Sequence, residues 1–224
     1  MIKILIVISS RYPNYQLENT IENIYKYQDF KKYIIDICIV DSDSSTFYTY
    51  IKLKNKYPNI LIELSQNCNY EYGAYKKGYE LYPDYDVYFC VQDTVYMTKE
   101  INFSAFTDSS RVGILYDKDL SNFGFLNHYN LGKITANILK NININQEYYY
   151  DKNFTMCIHN TFIVSKKIIN DMFENLPIGP KDKNETCAYE RIFSLYFMYN
   201  KLNLEYFNIP EDAVKINGKR SYMW

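Results

Sequence analysis

Four short, mostly apolar runs fall within the first 100 residues, and each ends abruptly in polar side chains. Ile2 to Ser9 reads IKILIVIS, Tyr33 to Val40 reads YIIDICIV, Ile60 to Leu64 reads ILIEL and Val87 to Val91 reads VYFCV. Runs of this length without alternation are the signature of strands covered on both faces. The segments between them have helical spacing. Leu17, Ile21, Ile24 and Tyr25 form one stripe, a stretch from Tyr48 to Lys56 stops before Pro58, and another from about Ala74 to Leu81 ends ahead of Pro83. This alternation predicts an α/β fold with a mostly parallel central sheet and helices on both faces. Ligands of such sheets bind at the carboxyl ends of the strands. Here those ends carry Ser9-Ser10-Arg11, Asp41-Ser42-Asp43, Asn67 and Gln92-Asp93-Thr94, four polar tips expected to converge on one edge.

The second half is less regular. Arg111 to Tyr116 and Thr161 to Val164 read as strands, and Ile168, Ile169, Met172 and Phe173 mark a helix. After the breaker-rich PIGPKDKNE comes a strong amphipathic helix with Ala188, Ile192, Leu195 and Tyr199 on one stripe. Asp117 to Lys152 reads as polar loop, and the chain ends in the basic INGKRSYMW. No repeat or linker divides the 224 residues, so one domain is expected.

Composition narrows the function. With 25 basic and 26 acidic residues the net charge is -1, which lacks the electrostatic footprint of a nucleic-acid binder. A hydrophobic share of 47% is too high for a disordered chain. No run reaches the roughly 20 apolar residues of a membrane span. MIKILIVISSRYPNY has no small-residue cleavage site and reads as a buried first strand, so a soluble cytoplasmic protein is expected. Cys38, Cys68, Cys90, Cys157 and Cys187 form no C-x-x-C pair and are expected to be reduced, mostly core, thiols. His128 and His159 lack metal-site spacing. Neither G-x-G-x-x-G nor a P-loop occurs, so a nucleotide must be held another way.

Four segments in order resemble the nucleotide-sugar-dependent glycosyltransferases of the GT-A fold, the family 2 type most of all. ILIVISSRYPNY is similar to the opening segment that touches the base in that family, and IVDSDSS to its V-D-D-x-S loop. QNCNYEYGAYKKGYE is similar to its N-x-G-x-x-x-A-x-N-x-G stretch, and DVYFCVQDT stands where the family has a strand ending in D-x-D. The resemblance implies a Rossmann-like GT-A domain over residues 1–224, with 1–100 binding nucleotide and 101–224 facing the acceptor. It implies transfer of a sugar from a nucleoside diphosphate sugar, UDP above others, to a hydroxyl of a glycan or of a lipid- or protein-linked acceptor, as in polysaccharide biosynthesis. The alternative is a GT-A-like module that binds carbohydrate or nucleotide without turnover.

On that resemblance Ser9, Arg11, Asp41, Asp43, Asn67, Gly73, Lys77 and Gln92 are the candidate nucleotide-binding residues. Asp41 and Asp43 are suited to accept hydrogen bonds from base and ribose, although Asp and Ser also build turns and caps. Asp93 is the candidate ligand for a divalent cation, Mn²⁺ or Mg²⁺, but Gln92 replaces the first acidic position of the family's motif and Thr94 the last. If no metal is held, Lys219 and Arg220 of the tail are candidates to balance the diphosphate. Glu190, expected near the start of a helix, is the candidate general base of an inverting transfer, with Glu185 and Asp182 in reserve.

Overall fold

The computed structural model describes residues 1–45, 47–65, 69–116, 129–144, 154–176, 178–208 and 212–215. Its strands are β1 (Lys3–Ser10), β2 (Ile34–Ser42), β3 (Leu61–Ser65), β4 (Val87–Gln92), β5 (Val95–Met97), β6 (Arg111–Tyr116), β7 (Phe162–Ser165), β8 (Asn203–Asn208) and β9 (Ala213–Lys215). The helices are α1 (Tyr15–Tyr27), α2 (Tyr48–Lys56), α3 (Tyr70–Leu81), α4 (Tyr129–Asn141), α5 (Lys166–Asn175) and α6 (Lys183–Tyr199). Local chemistry fixes the helix starts. Asn14, Ser165 and Asp182 each accept backbone N–H groups of the first turn, the groups a helix leaves without internal partners.

Seven strands form one sheet in the order β3-β2-β1-β4-β7-β6-β8. All run parallel except β7, which is antiparallel to both β4 and β6. The expected mostly parallel α/β sheet is therefore present. β5 and β9 pair outside it as an antiparallel ribbon just beyond the end of β4.

Side chains alternate across a strand, so each strand supplies two cores. Ile4, Ile6 and Ile8 of β1 join Ile35, Ile37 and Ile39 of β2 beneath Leu17, Ile21 and Ile24 of α1 and Tyr50 and Leu53 of α2. Leu5 and Val7 join Cys38, Val40, Tyr88 and Cys90 beneath Tyr72 and Tyr75 of α3, Ile169 of α5 and Phe193 and Phe197 of α6. Cys38, Cys90 and Cys157 are buried free thiols, and burial pushes Cys38 up to about 12. α3 lies close on the sheet at Gly78, where an added Cβ would stand 2.7 Å from Val7 Cγ1.

Two expectations need correction. The helix expected from about Ala74 begins four residues earlier at Tyr70, which puts Gly73 inside the first turn instead of at a loop junction. The stretch expected to be loop holds α4, packed on α6. Asn and Gly lower its helix propensity, but Thr135 and Leu139 are fully buried, and packing outweighs a few tenths of a kcal/mol per residue. Among the described residues no helix is long and apolar enough to cross a membrane.

Candidate functional site at the carboxyl edge of the sheet

The strand tips divide by parity. Residue 10 of β1 and residue 41 of β2 are register partners, as are residues 9 of β1 and 92 of β4. Ser10 and Asp41 continue the even and odd rows that face α1 and α2, and Asp93 follows the row of Val87, Phe89 and Val91. Ser9 and Gln92 continue the opposite rows, facing α3 and α6.

On the α1/α2 side the polar tips form one buried chain. Asp93 Oδ2 accepts from Ser10 Oγ at 2.8 Å, and the Tyr50 hydroxyl lies 3.2 Å from the same Ser10 oxygen. Tyr50 also donates to Asp41 Oδ1. Asp41 further accepts from the Ser44 hydroxyl and, at 2.8 Å, from the Ser44 N–H. Ser44 Oγ in turn accepts the Tyr12 N–H at 2.7 Å, which ties the loop after β1 to the loop after β2. Asp41 and Asp93 are 1% and 2% exposed. Burial and the neighbouring Asp41 carboxylate drive the Tyr50 phenol far above its ordinary value, so it stays a donor.

On the α3/α6 side, Gln92 Nε2 donates to Glu71 Oε1 at 2.8 Å, and Thr186 Oγ1 donates to Glu71 Oε2 at 2.9 Å. Glu190 stands beside this group. Its Oε1 accepts the His159 N–H at 3.0 Å and lies 3.9 Å from His159 Nδ1. Burial raises the Glu190 carboxyl to about 7. The His159 N–H and the charges of Arg191 and Lys183 oppose the shift, while Glu71 adds to it. A carboxyl poised near neutrality, with its side chain still 22% exposed, can accept a proton from a substrate hydroxyl.

Backbone strain concentrates along the same edge. Tyr12, Asp43, Tyr70, His159 and Asn160 have φ between 51° and 64°. They follow β1, follow β2, open α3 and precede β7, so all lie in segments that meet this edge. Left-handed backbone costs non-glycine residues free energy and tends to collect where a site dictates the conformation.

The structure thus joins Asp41 with Asp93 through Ser10 and Tyr50, and Gln92 with Thr186 through Glu71, whose charge also acts on Glu190. Ser9 is half-buried and points to the α3/α6 side. Arg11 is exposed, its guanidinium 5.1 Å from the Tyr12 ring centre. Asp43 is exposed on its left-handed turn. Lys77 lies two turns into α3, about 10 Å along the axis from Tyr70, and is not brought to the edge with the others. Glu190 is in the third turn of α6, not near its start. The two reserve acids serve that helix's N-terminus. Asp182 caps Asn184 and Glu185, and Glu185 accepts the Lys181 N–H at 2.8 Å. Asn67, Lys219 and Arg220 lie outside the described residues.

Sequence reasoning missed Glu71, Thr186, Ser44 and Tyr50. Strand parity was a usable signal for Ser10 over Ser9 as the partner of Asp41. Nothing in the order of residues pairs Tyr50 with Asp41 or Thr186 with Glu71, because those contacts cross between elements.

A hard divalent cation takes six or more oxygen ligands. Among the described residues no three His, Cys, Asp or Glu side chains gather to hold one. Asp93 shares its carboxylate with Ser10, and both oxygens of Glu71 accept hydrogen bonds. The described protein donors alone do not complete such a shell, so a cation held at Asp93 would take its remaining oxygens from water and from the donor diphosphate.

No protein-family model matches the sequence, and no curated protein matches it. Solved structures do match the fold. TarS 1–349 of S. aureus in complex with UDP superposes with a TM-score of 0.57 at 14% identity, over 95% of this chain and 60% of that one. The same protein in complex with UDP-GlcNAc gives 0.56 at 14%, over 100% and 62%. GalNAc-T7 with UDP, GalNAc and Mn²⁺ gives 0.59 at 10% identity, over 97% of this chain and 44% of that chain. The chain therefore spans about three fifths of the length of the TarS fragment it resembles. Sheet order, layering and these superpositions together establish that the chain adopts the GT-A fold of the nucleotide-sugar glycosyltransferases.

Proposed function

We propose that the protein transfers a sugar from a UDP-sugar to an acceptor hydroxyl with inversion at the anomeric carbon. Support comes first from Glu190, whose carboxyl is held at about 7 beside the strand tips on the α3/α6 side. In this reading Glu190 removes the acceptor proton as that oxygen attacks the anomeric carbon. The bond from that carbon to the diphosphate oxygen breaks, and UDP departs with the electron pair. The His159 N–H, aimed at Glu190 Oε1, stabilises the carboxylate before proton transfer and fixes its direction. A raised pKa makes the carboxylate a better base while keeping it ionised in part at neutral pH.

The donor would lie along the edge. Asp43, exposed, would read the nucleoside from the loop that buried Asp41 braces through Ser44 and Tyr50, with Asp93 coupled to that brace through Ser10. Arg11, exposed at the end of β1, is suited to balance diphosphate charge. The UDP and UDP-GlcNAc complexes of TarS support a uridine nucleotide.

Glu190→Gln tests the assignment. Transfer should fall at least ~100-fold while UDP binds with unchanged affinity. Near wild-type transfer by this variant would refute the role of Glu190. Gln92, standing where a metal-motif carboxylate is expected, favours a second reading as a binding module. UDP binding with no transfer or donor hydrolysis across several UDP-sugars, with and without Mn²⁺, would establish that reading instead.

A further inference from the structure

Glu71 stands between the donor edge and the proposed base, and neither nucleotide binding nor proton transfer uses it. It lies in the first turn of α3, directly after Tyr70, whose left-handed backbone (φ 52°) turns the chain into the helix. Gln92 at the tip of β4 donates to its Oε1 at 2.8 Å, and Thr186 of α6 donates to its Oε2 at 2.9 Å. Thr186 is itself pinned, because Asn160 Nδ2 donates to its carbonyl at 3.3 Å. Glu190 follows Thr186 by four residues, so the two project from one face of α6. Glu71 therefore spans from the strand tip where the donor would lie to the helix face that carries the base. In a transfer the anomeric carbon must sit between the diphosphate and the acceptor oxygen facing Glu190. The transferred ring then occupies the space that Glu71 borders.

The chemistry of the group suits that place. A carboxylate offers about four lone-pair positions and donates nothing. Among the described residues two are taken, one on each oxygen, and no cation pairs with Glu71. The side chain is half-buried, open to a ligand on one side. Adjacent hydroxyls of a sugar ring are close enough to donate one to each oxygen. We propose that Glu71 selects the donor sugar by accepting hydrogen bonds from two neighbouring ring hydroxyls, one on each carboxylate oxygen. The donor class is then a UDP-hexose with a free vicinal diol and no acid group. A hexose ring is smaller than the ~8 Å Debye length, so a uronate gripped by its diol keeps its own carboxylate within range of a like charge. This rests on the glycosyltransferase reading, and its test separates the two.

UDP, UDP-glucose, UDP-galactose, UDP-GlcNAc and UDP-glucuronate are titrated into the whole protein by calorimetry. At least one neutral donor should bind ~10-fold more tightly than UDP, as expected of hydrogen bonds to a charged acceptor, and UDP-glucuronate should bind no more tightly than UDP. Glu71→Gln turns one acceptor into a donor and removes the charge. It should abolish the neutral donor's advantage and bring UDP-glucuronate level with it, with UDP affinity unchanged. A wild-type preference that survives in a folded Glu71→Gln variant overturns the proposal. It is overturned equally, whether or not the variant folds, by a wild type that binds UDP and either gains nothing from any neutral sugar or accepts UDP-glucuronate as tightly as the best of them. Failure of the wild type to bind UDP or any UDP-sugar overturns the glycosyltransferase reading itself.

Discussion

A carboxyl group raised by burial binds a proton in the folded protein over a pH range where the unfolded chain has already lost it. Glu190 spans that range from its ordinary 4.5 to about 7. Because the folded value is the higher one, its contribution to stability is complete below about 4.5 and is lost as pH rises through about 7. The shift corresponds to at most ~3 kcal/mol, reduced by the 22% exposure of the side chain. Melting temperature should therefore decline between those pH values, and Glu190→Gln should flatten that part of the profile. Transfer rate should move the opposite way, rising with pH and levelling off above about 7 as the base ionises. A wild-type stability profile matching that of Glu190→Gln would show that the carboxyl titrates normally. At this scale the sequence was partly readable. Asp41, Gln92 and Asp93 stand out because they close apolar runs at the edge where α/β sheets bind ligands, and Glu190 because the family resemblance points to it. Glu71 was hidden in a helix whose start was placed too late, and Tyr50 was one of 26 tyrosines with nothing local to mark it.

At the scale of elements, the position of α3 decides whether Glu71 reaches Gln92. Gly78 lets that helix settle onto β1, with Val7 fully buried beneath it. On intrinsic propensity alone Gly78→Ala would stabilise the helix by about 1 kcal/mol. The new methyl, however, would stand 2.7 Å from Val7 Cγ1 and 3.0 Å from Cγ2, and a β-branched strand residue has no spare rotamer to yield. Overpacking costs of ~1–3 kcal/mol should exceed the gain. Gly78→Ala is expected to lower unfolding free energy in a urea titration and to disturb the Glu71–Gln92 contact while leaving the Asp41 brace in place. An unchanged or higher midpoint would mean that the α3–β1 contact is looser than described. The first four strands and their helices were legible because each is short, apolar and closed by a proline or a polar tip. α4 was not, because its burial against α6 is a property of the packed molecule and its own composition argues for loop.

At the scale of the whole molecule, the two sides of the sheet edge are built from different parts of the chain. The α1/α2 side uses Ser10, Asp41, Ser44, Tyr50 and Asp93, all from the first half, while the α3/α6 side sets Glu71 and Gln92 from that half beside Thr186, His159 and Glu190 from the second. A ligand confined to the first side should stabilise the fold without engaging the second. UDP is such a ligand in the proposed reading, and the linkage is quantitative. At 100 times its Kd it should add about 2.7 kcal/mol to unfolding free energy, or ~5–10 °C in melting temperature for a chain of this size. GDP and dTDP should give smaller shifts, because the acidic loop at the tip of β2 accepts from the uracil N–H and the ribose hydroxyls, and guanine changes the base edge while dTDP lacks the 2′-hydroxyl. Tyr50→Phe should cut the UDP shift by loosening Asp41, and Glu190→Gln should leave it intact, because the base sits on the far side of the sheet. If UDP, GDP and dTDP all fail to move the transition, the strand tips do not form a nucleotide site. If instead UDP stabilises the protein but Glu190→Gln abolishes the effect, the two sides act as a single site, and the division by strand parity does not describe how the ligand binds.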